Sequence, residues 1–153
     1  MKRIALALAA LAAAAALLPG AAFADDAGLA GTVAAWSLKV TGPAQALQKI
    51  DASTTTKQAL RASNRLASVA GKGAAAIALE SPSSKNGRQL KALAGRAFAD
   101  FAQAGRLLAS AIRDVQAGRT GATVTAKVNR AVRLATEGST LLRRASTIIP
   151  KLL

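Results

Sequence analysis

The side chains that could do chemistry are few and one-sided. The chain has no His, no Cys and no Tyr. Without imidazole there is no His general base, haem ligand or His metal site. Without thiol there is no thiolate nucleophile and no Cys-held zinc or iron–sulfur cluster. The acids are Asp25, Asp26, Asp51, Glu80, Asp100, Asp114 and Glu137. A di-metal site in a helical bundle takes several inward carboxylates with Glu-x-x-His pairs, and that pattern is missing. Asp100 and Asp114 are fourteen residues apart, about 21 Å along a helix. They cannot share one bond as glycosidase carboxylates do. Asp100 follows Arg96 by four residues and Glu137 follows Arg133 by four, the spacing of a weak surface ion pair. A Ser or Thr nucleophile without His needs an activating Lys. Thr54-x-x-Lys57 has such a spacing but falls in a helix-capping region. The expectation is therefore no enzyme, no cofactor and no metal.

The cations are different. The second helical segment carries Lys57, Arg61, Arg65 and Lys72, with no acid between Ala52 and Leu79. The first three stand four apart and stack on one helix face, where like charges repel by a few tenths of a kcal/mol per pair. The fourth segment adds Lys127, Arg130, Arg133, Arg143 and Arg144 against Glu137 alone. Such faces can simply keep an Ala-rich protein in solution. They also concentrate anions, and these nine residues are the candidate anion-binding set.

The compartment follows from the N-terminus. Lys2 and Arg3 form a basic start, Ile4 to Leu18 an Ala/Leu run, and Pro19-Gly20 a break before Ala22-Phe23-Ala24. That succession is a signal peptide, with a run too short to span a bilayer comfortably. Residues 1–24 are expected to be cleaved, leaving 25–153 as one helical domain. It keeps nineteen basic residues against seven acids, a net of +12. The expected location is secreted or periplasmic.

Ala is the best helix former, and the mature chain retains only Trp36, Phe98 and Phe101 as aromatics. The organising stretch is Arg88 to Val115. Leu90, Ala94, Ala97, Phe101, Ala104, Leu108, Ala111 and Val115 recur at steps of four and three, which lines them on one side of a helix. Arg96, Gln103, Arg106, Ser110 and Arg113 take the other side. A second segment from about Thr54 to Leu79 has its stripe at Ala59, Ala62, Leu66, Val69, Gly73 and Ile77, with candidate caps in Asp51 to Thr54. Gly71 and Gly73 each cost it about 1 kcal/mol relative to Ala unless they admit a close contact.

A segment from about Ala122 to Ile149 repeats the spacing through Val124, Val128, Ala131, Ala135, Gly138, Leu142, Ala145 and Ile149, with Thr120 or Thr123 as its cap and Pro150 as its stop. Gly118 suits the residue just past the preceding helix. Leu29, Val33, Trp36, Val40, Leu47 and Ile50 make the first stripe, which Gly42-Pro43 should break or kink. Trp36 to Val40 also alternates apolar and polar as a strand would, but it has no partner strand. Glu80 to Gly87 is punctuated by Pro82 and Asn86-Gly87 and reads as a loop. The dipeptide Gly-Arg at 87, 95, 105 and 118 is unevenly spaced and marks composition rather than a repeat.

These features predict an all-α, antiparallel up-down four-helix bundle, monomeric or weakly oligomeric. The expected partner is an anionic envelope polymer or lipid headgroup: phospholipid, teichoic or lipopolysaccharide phosphate, or acidic polysaccharide. A scaffold or chaperone-like bundle that binds another exported protein through an uncovered apolar surface is the alternative. A basic nucleic-acid-binding protein is the second alternative. Export and the lack of stacking aromatics count against nucleic acid.

Overall fold

The computed structural model describes residues 26–50 and 54–152. The expected signal peptide and Asp51 to Ser53 lie outside them. Four helices follow in order: α1 Asp26–Gln48, α2 Thr56–Leu79, α3 Lys85–Gln116 and α4 Ala122–Ser146, with a short 3-10 turn at Ile149–Lys151. There is no strand among the described residues, so Trp36 to Val40 is helical.

The helices alternate up and down. Thr32 of α1 meets Glu80 beyond the end of α2, Gly73 of α2 faces Phe98 of α3, and Gly138 of α4 faces Ala97 of α3. The hub is α3, which packs along both α2 and α4; α1 lies mainly on α2, touches α3 and barely meets α4. Phe98, Phe101, Leu29, Leu66, Ile77 and Leu90 are fully buried. Leu108 and the Ala residues at 94, 97, 104 and 111 join them as expected. Val115 does not: it is 52% exposed, while Asp114 beside it takes the buried position in that last turn.

A core of Ala and a few large side chains needs close backbones, and glycine supplies them at three crossings. A Cβ on Gly105 would stand 2.7 Å from Ala67 N and Ser63 O of α2. At Gly138 it would stand 3.0 Å from Ala97 O, and at Gly73 2.8 Å from the Phe98 ring. Gly71 has nothing within 4 Å. The two glycines that look alike in sequence thus differ: one admits a helix neighbour and the other only weakens α2.

Several boundaries depart from the sequence expectation. Of the break or kink expected at Gly42-Pro43, the break does not occur: α1 runs through Pro43, which is buried. Proline removes one N–H, and the helix continues for five residues beyond it, to Gln48. The α2 cap is Thr55, whose hydroxyl accepts from Gln58 N while Gln58 Oε1 accepts from Thr55 N, a capping box. The loop after α2 is shorter than Glu80 to Gly87. Ser84 caps α3 by accepting from Gly87 N at 2.8 Å, so Lys85, Asn86 and Gly87 are helical. Gly87 is there for space: a Cβ would stand 2.2 Å from the Asp26 carboxylate.

At the other end of α3, Gly118 (φ 73°) takes the left-handed position as expected. Its N–H donates to Val115 O and the Arg119 N–H to Asp114 O, closing the Schellman pattern. The α4 cap is Gly121 (φ 91°), not Thr120 or Thr123. α4 ends at Ser146 rather than Ile149. The chain then turns so that Ile148 and Ile149 are buried.

Candidate anion-binding faces

The capping box starts α2, and its apolar stripe faces α1 and α3. The remaining face points to solvent. Lys57, Arg61, Arg65 and Lys72 are all exposed, and among the described residues none is paired with an acid. The four stand on one side of the helix, as the spacing predicts.

The face of α4 is less uniform. Lys127 is withdrawn from it: its ammonium donates to the Asp114 carboxylate and, at 2.9 Å, to Ser110 Oγ. Arg133 Nε lies 3.9 Å from Glu137 Oε1, the expected i,i+4 pair. Arg130, Arg143 and Arg144 are exposed and free of acids among the described residues. The set of nine therefore divides into an intact stripe on α2 and an interrupted one on α4, with Lys127 serving the fold.

The sequence gives no hint of the Asp114 site. Asp114 is buried in the last turn of α3, where it accepts from Lys127 on α4 and pairs with Arg119 at 2.9 Å. The hydrogen bond from Lys127, aided by the Arg119 charge, holds its carboxyl below the usual aspartate range. This cluster ties the α3–α4 turn to both helices. Spacing could not reveal it, because Asp114 and Lys127 meet only once the chain reverses.

Asp100 also departs from expectation. It forms no ion pair with Arg96; it is half-buried between α3 and α4, and its Oδ2 is enclosed without a hydrogen-bond partner. Burial pushes its carboxyl above the usual range. The Arg96 charge opposes that shift and the Glu137 charge adds to it. The remaining described acids are engaged at the opposite end. Asp26 accepts from Ser83 N at 3.1 Å and Ser84 N at 3.3 Å, and Glu80 accepts from Thr32 Oγ1 at 2.6 Å. There Lys91 donates to Ala78 O and Glu80 O, capping the C-terminus of α2. Lys39 lies 4.2 Å from the ring centre of half-buried Trp36.

Among the described residues, no three acids converge as a metal site would require, and no helix is long and apolar enough to cross a membrane. Compared with family models, with curated proteins and with solved structures, the chain shows no match.

Proposed function

We propose that the protein is exported and binds anionic components of the cell envelope through its basic helix faces, without catalysing a reaction. The observation that carries this reading is the disposition of charge. Among the described residues Glu137 is the single exposed acid, while Asp26, Glu80 and Asp114 are bonded within the fold and Asp100 is half-buried. Lys57, Arg61, Arg65 and Lys72 stand unpaired in solvent. The exposed charge is then mostly cationic, and such a surface gathers anions. Export is supported by the basic, apolar and small-residue succession of residues 2–24.

The scaffold reading has less to rest on. Among the described residues the large apolar side chains left exposed are Leu38, Leu79 and Val115, one on each of three helices, rather than a stripe. The test is binding to phosphatidylglycerol vesicles and to envelope polymers as salt is raised. Affinity should fall steeply, because counterions released on binding must be recaptured on dissociation. Binding that ignores salt, or none at all, refutes the proposal.

A further inference from the structure

We propose that the outer face of α2 is a site for a linear phosphate-bearing polymer, with Lys57, Arg61, Arg65 and Lys72 as its contacts. The inference rests on the anion-binding reading above and narrows it to one face and one ligand class. The face is chosen by what the fold spends. Lys127 is bound to Asp114 and Ser110, and Arg133 has Glu137 beside it. The α2 cations form a run with no acid among them, and among the described residues none of the four makes an ion pair or a side-chain hydrogen bond.

The ligand class follows from shape. The four positions span fifteen residues, about 22 Å, and the first three are about 6 Å apart along the axis. At roughly 100° per residue, each step of four advances the position by about 40°. The ridge from Lys57 to Arg65 therefore winds about 80° around the helix. Lys72 falls at about 60°, inside that arc, so the four cations make one strip about 22 Å long, a shape that suits a linear chain of phosphates.

The neighbouring residues agree. The exposed positions between the cations include Gln58, Asn64 and Ser68. Leu66, Ala70 and Ile77 are consumed in the core. Peripheral membrane helices insert an apolar face, and α2 keeps none free; Leu79, at its last position, is the one large apolar side chain it exposes. α2 has no aromatic residue, so it offers no stacking platform and reads backbone phosphate rather than bases.

The test measures binding of the purified mature protein to long-chain inorganic polyphosphate and to poly(glycerol phosphate) over a range of salt. Four phosphate contacts on a single flexible strand give a slope of log affinity against log salt near −3, from about −0.7 per contact. The quadruple variant Lys57→Gln, Arg61→Gln, Arg65→Gln, Lys72→Gln should lose at least about tenfold in affinity and most of that slope. A charge-matched control at exposed cations outside the candidate set, Lys49→Gln, Lys85→Gln, Arg106→Gln, Lys151→Gln, should stay close to wild type. Circular dichroism verifies that both variants are folded. Stripe-dependent binding to either polymer supports the inference, and the preferred polymer separates a phosphodiester source from a phosphoanhydride one. Equal losses in the two variants overturn it, since net charge alone would then suffice. Tighter stripe-dependent binding to phosphatidylglycerol vesicles than to either polymer also overturns it, yet leaves the anion-binding function standing. Failure to bind any polyanion sinks both.

Discussion

Gly105→Ala is the sharpest test of how this bundle is held. The new Cβ would lie 2.7 Å from both Ala67 N and Ser63 O, and 3.0 Å from Ala67 Cα. Ordinary contact between such atoms needs about 3.5 Å or more. All three are backbone atoms of α2, so no side chain can swing aside. The helices must part by roughly 0.8 Å at their closest crossing, and the surrounding contacts lose a quarter to a half of their dispersion energy. Alanine itself favours the helix by about 1 kcal/mol over glycine. Overpacking of a tight core costs about 1–3 kcal/mol, and the rigid crossing puts this site at the upper end. The net loss should be about 2 kcal/mol, or roughly 8 °C in Tm for a domain of this size. Gly71→Ala is the matched control. It is the same substitution in a neighbouring helix interior, with nothing within 4 Å, and should gain up to about 1 kcal/mol. Urea and thermal melts followed by far-UV circular dichroism read both. If Gly105→Ala is as stable as wild type, the close α2–α3 approach is wrong, and with it the reason glycine stands at that position.

Other outcomes are expected. Phe101→Ala removes a fully buried ring packed on Gly138 and should cost about 3 kcal/mol or more in the same melts. Two carboxyls give opposite pH trends. Asp100, raised above the ordinary 3.8, contributes stability that is present below that value and lost as pH rises through its folded pKa. Asp100→Asn should therefore raise stability at neutral pH and flatten that limb of a stability–pH profile; no change would mean its Oδ2 is not truly dry. Asp114, lowered by Lys127 and Arg119, contributes stability present above 3.8 and lost as pH falls through its folded pKa. Asp114→Asn should abolish this acid-side loss. For export, N-terminal sequencing of the protein recovered from its host should start at Asp25. A chain beginning at Met1 in the cytoplasmic fraction would remove the envelope reading and favour the nucleic-acid alternative.

The fold class was legible because helices of this kind are written in local spacing. The four-and-three recurrence of Leu90 to Ala111 placed those residues inside before any tertiary contact was known, and the same reasoning put Lys57, Arg61 and Arg65 on one outer face. Periodicity reports which side of a helix an atom occupies, and for a solvated cation that is nearly the whole story. The Gly118 ending was equally local, since a left-handed residue after a long stripe asks for glycine. Tertiary packing decided the rest. Gly71 and Gly73 share a segment and a propensity cost, but only the docking of Phe98 shows that one of them is required. Pro43 carries a local signal to stop, yet α1 runs through it and buries it. Asn86-Gly87 resembles a turn until the Asp26 carboxylate, sixty residues earlier in the chain, is seen to need the space. Lys127 reads as one more surface cation in a basic helix, and Asp114 as an isolated acid. They find each other because the Gly118–Gly121 turn folds α4 back on α3. Such contacts depend on where two distant segments meet, and no spacing along either segment encodes that.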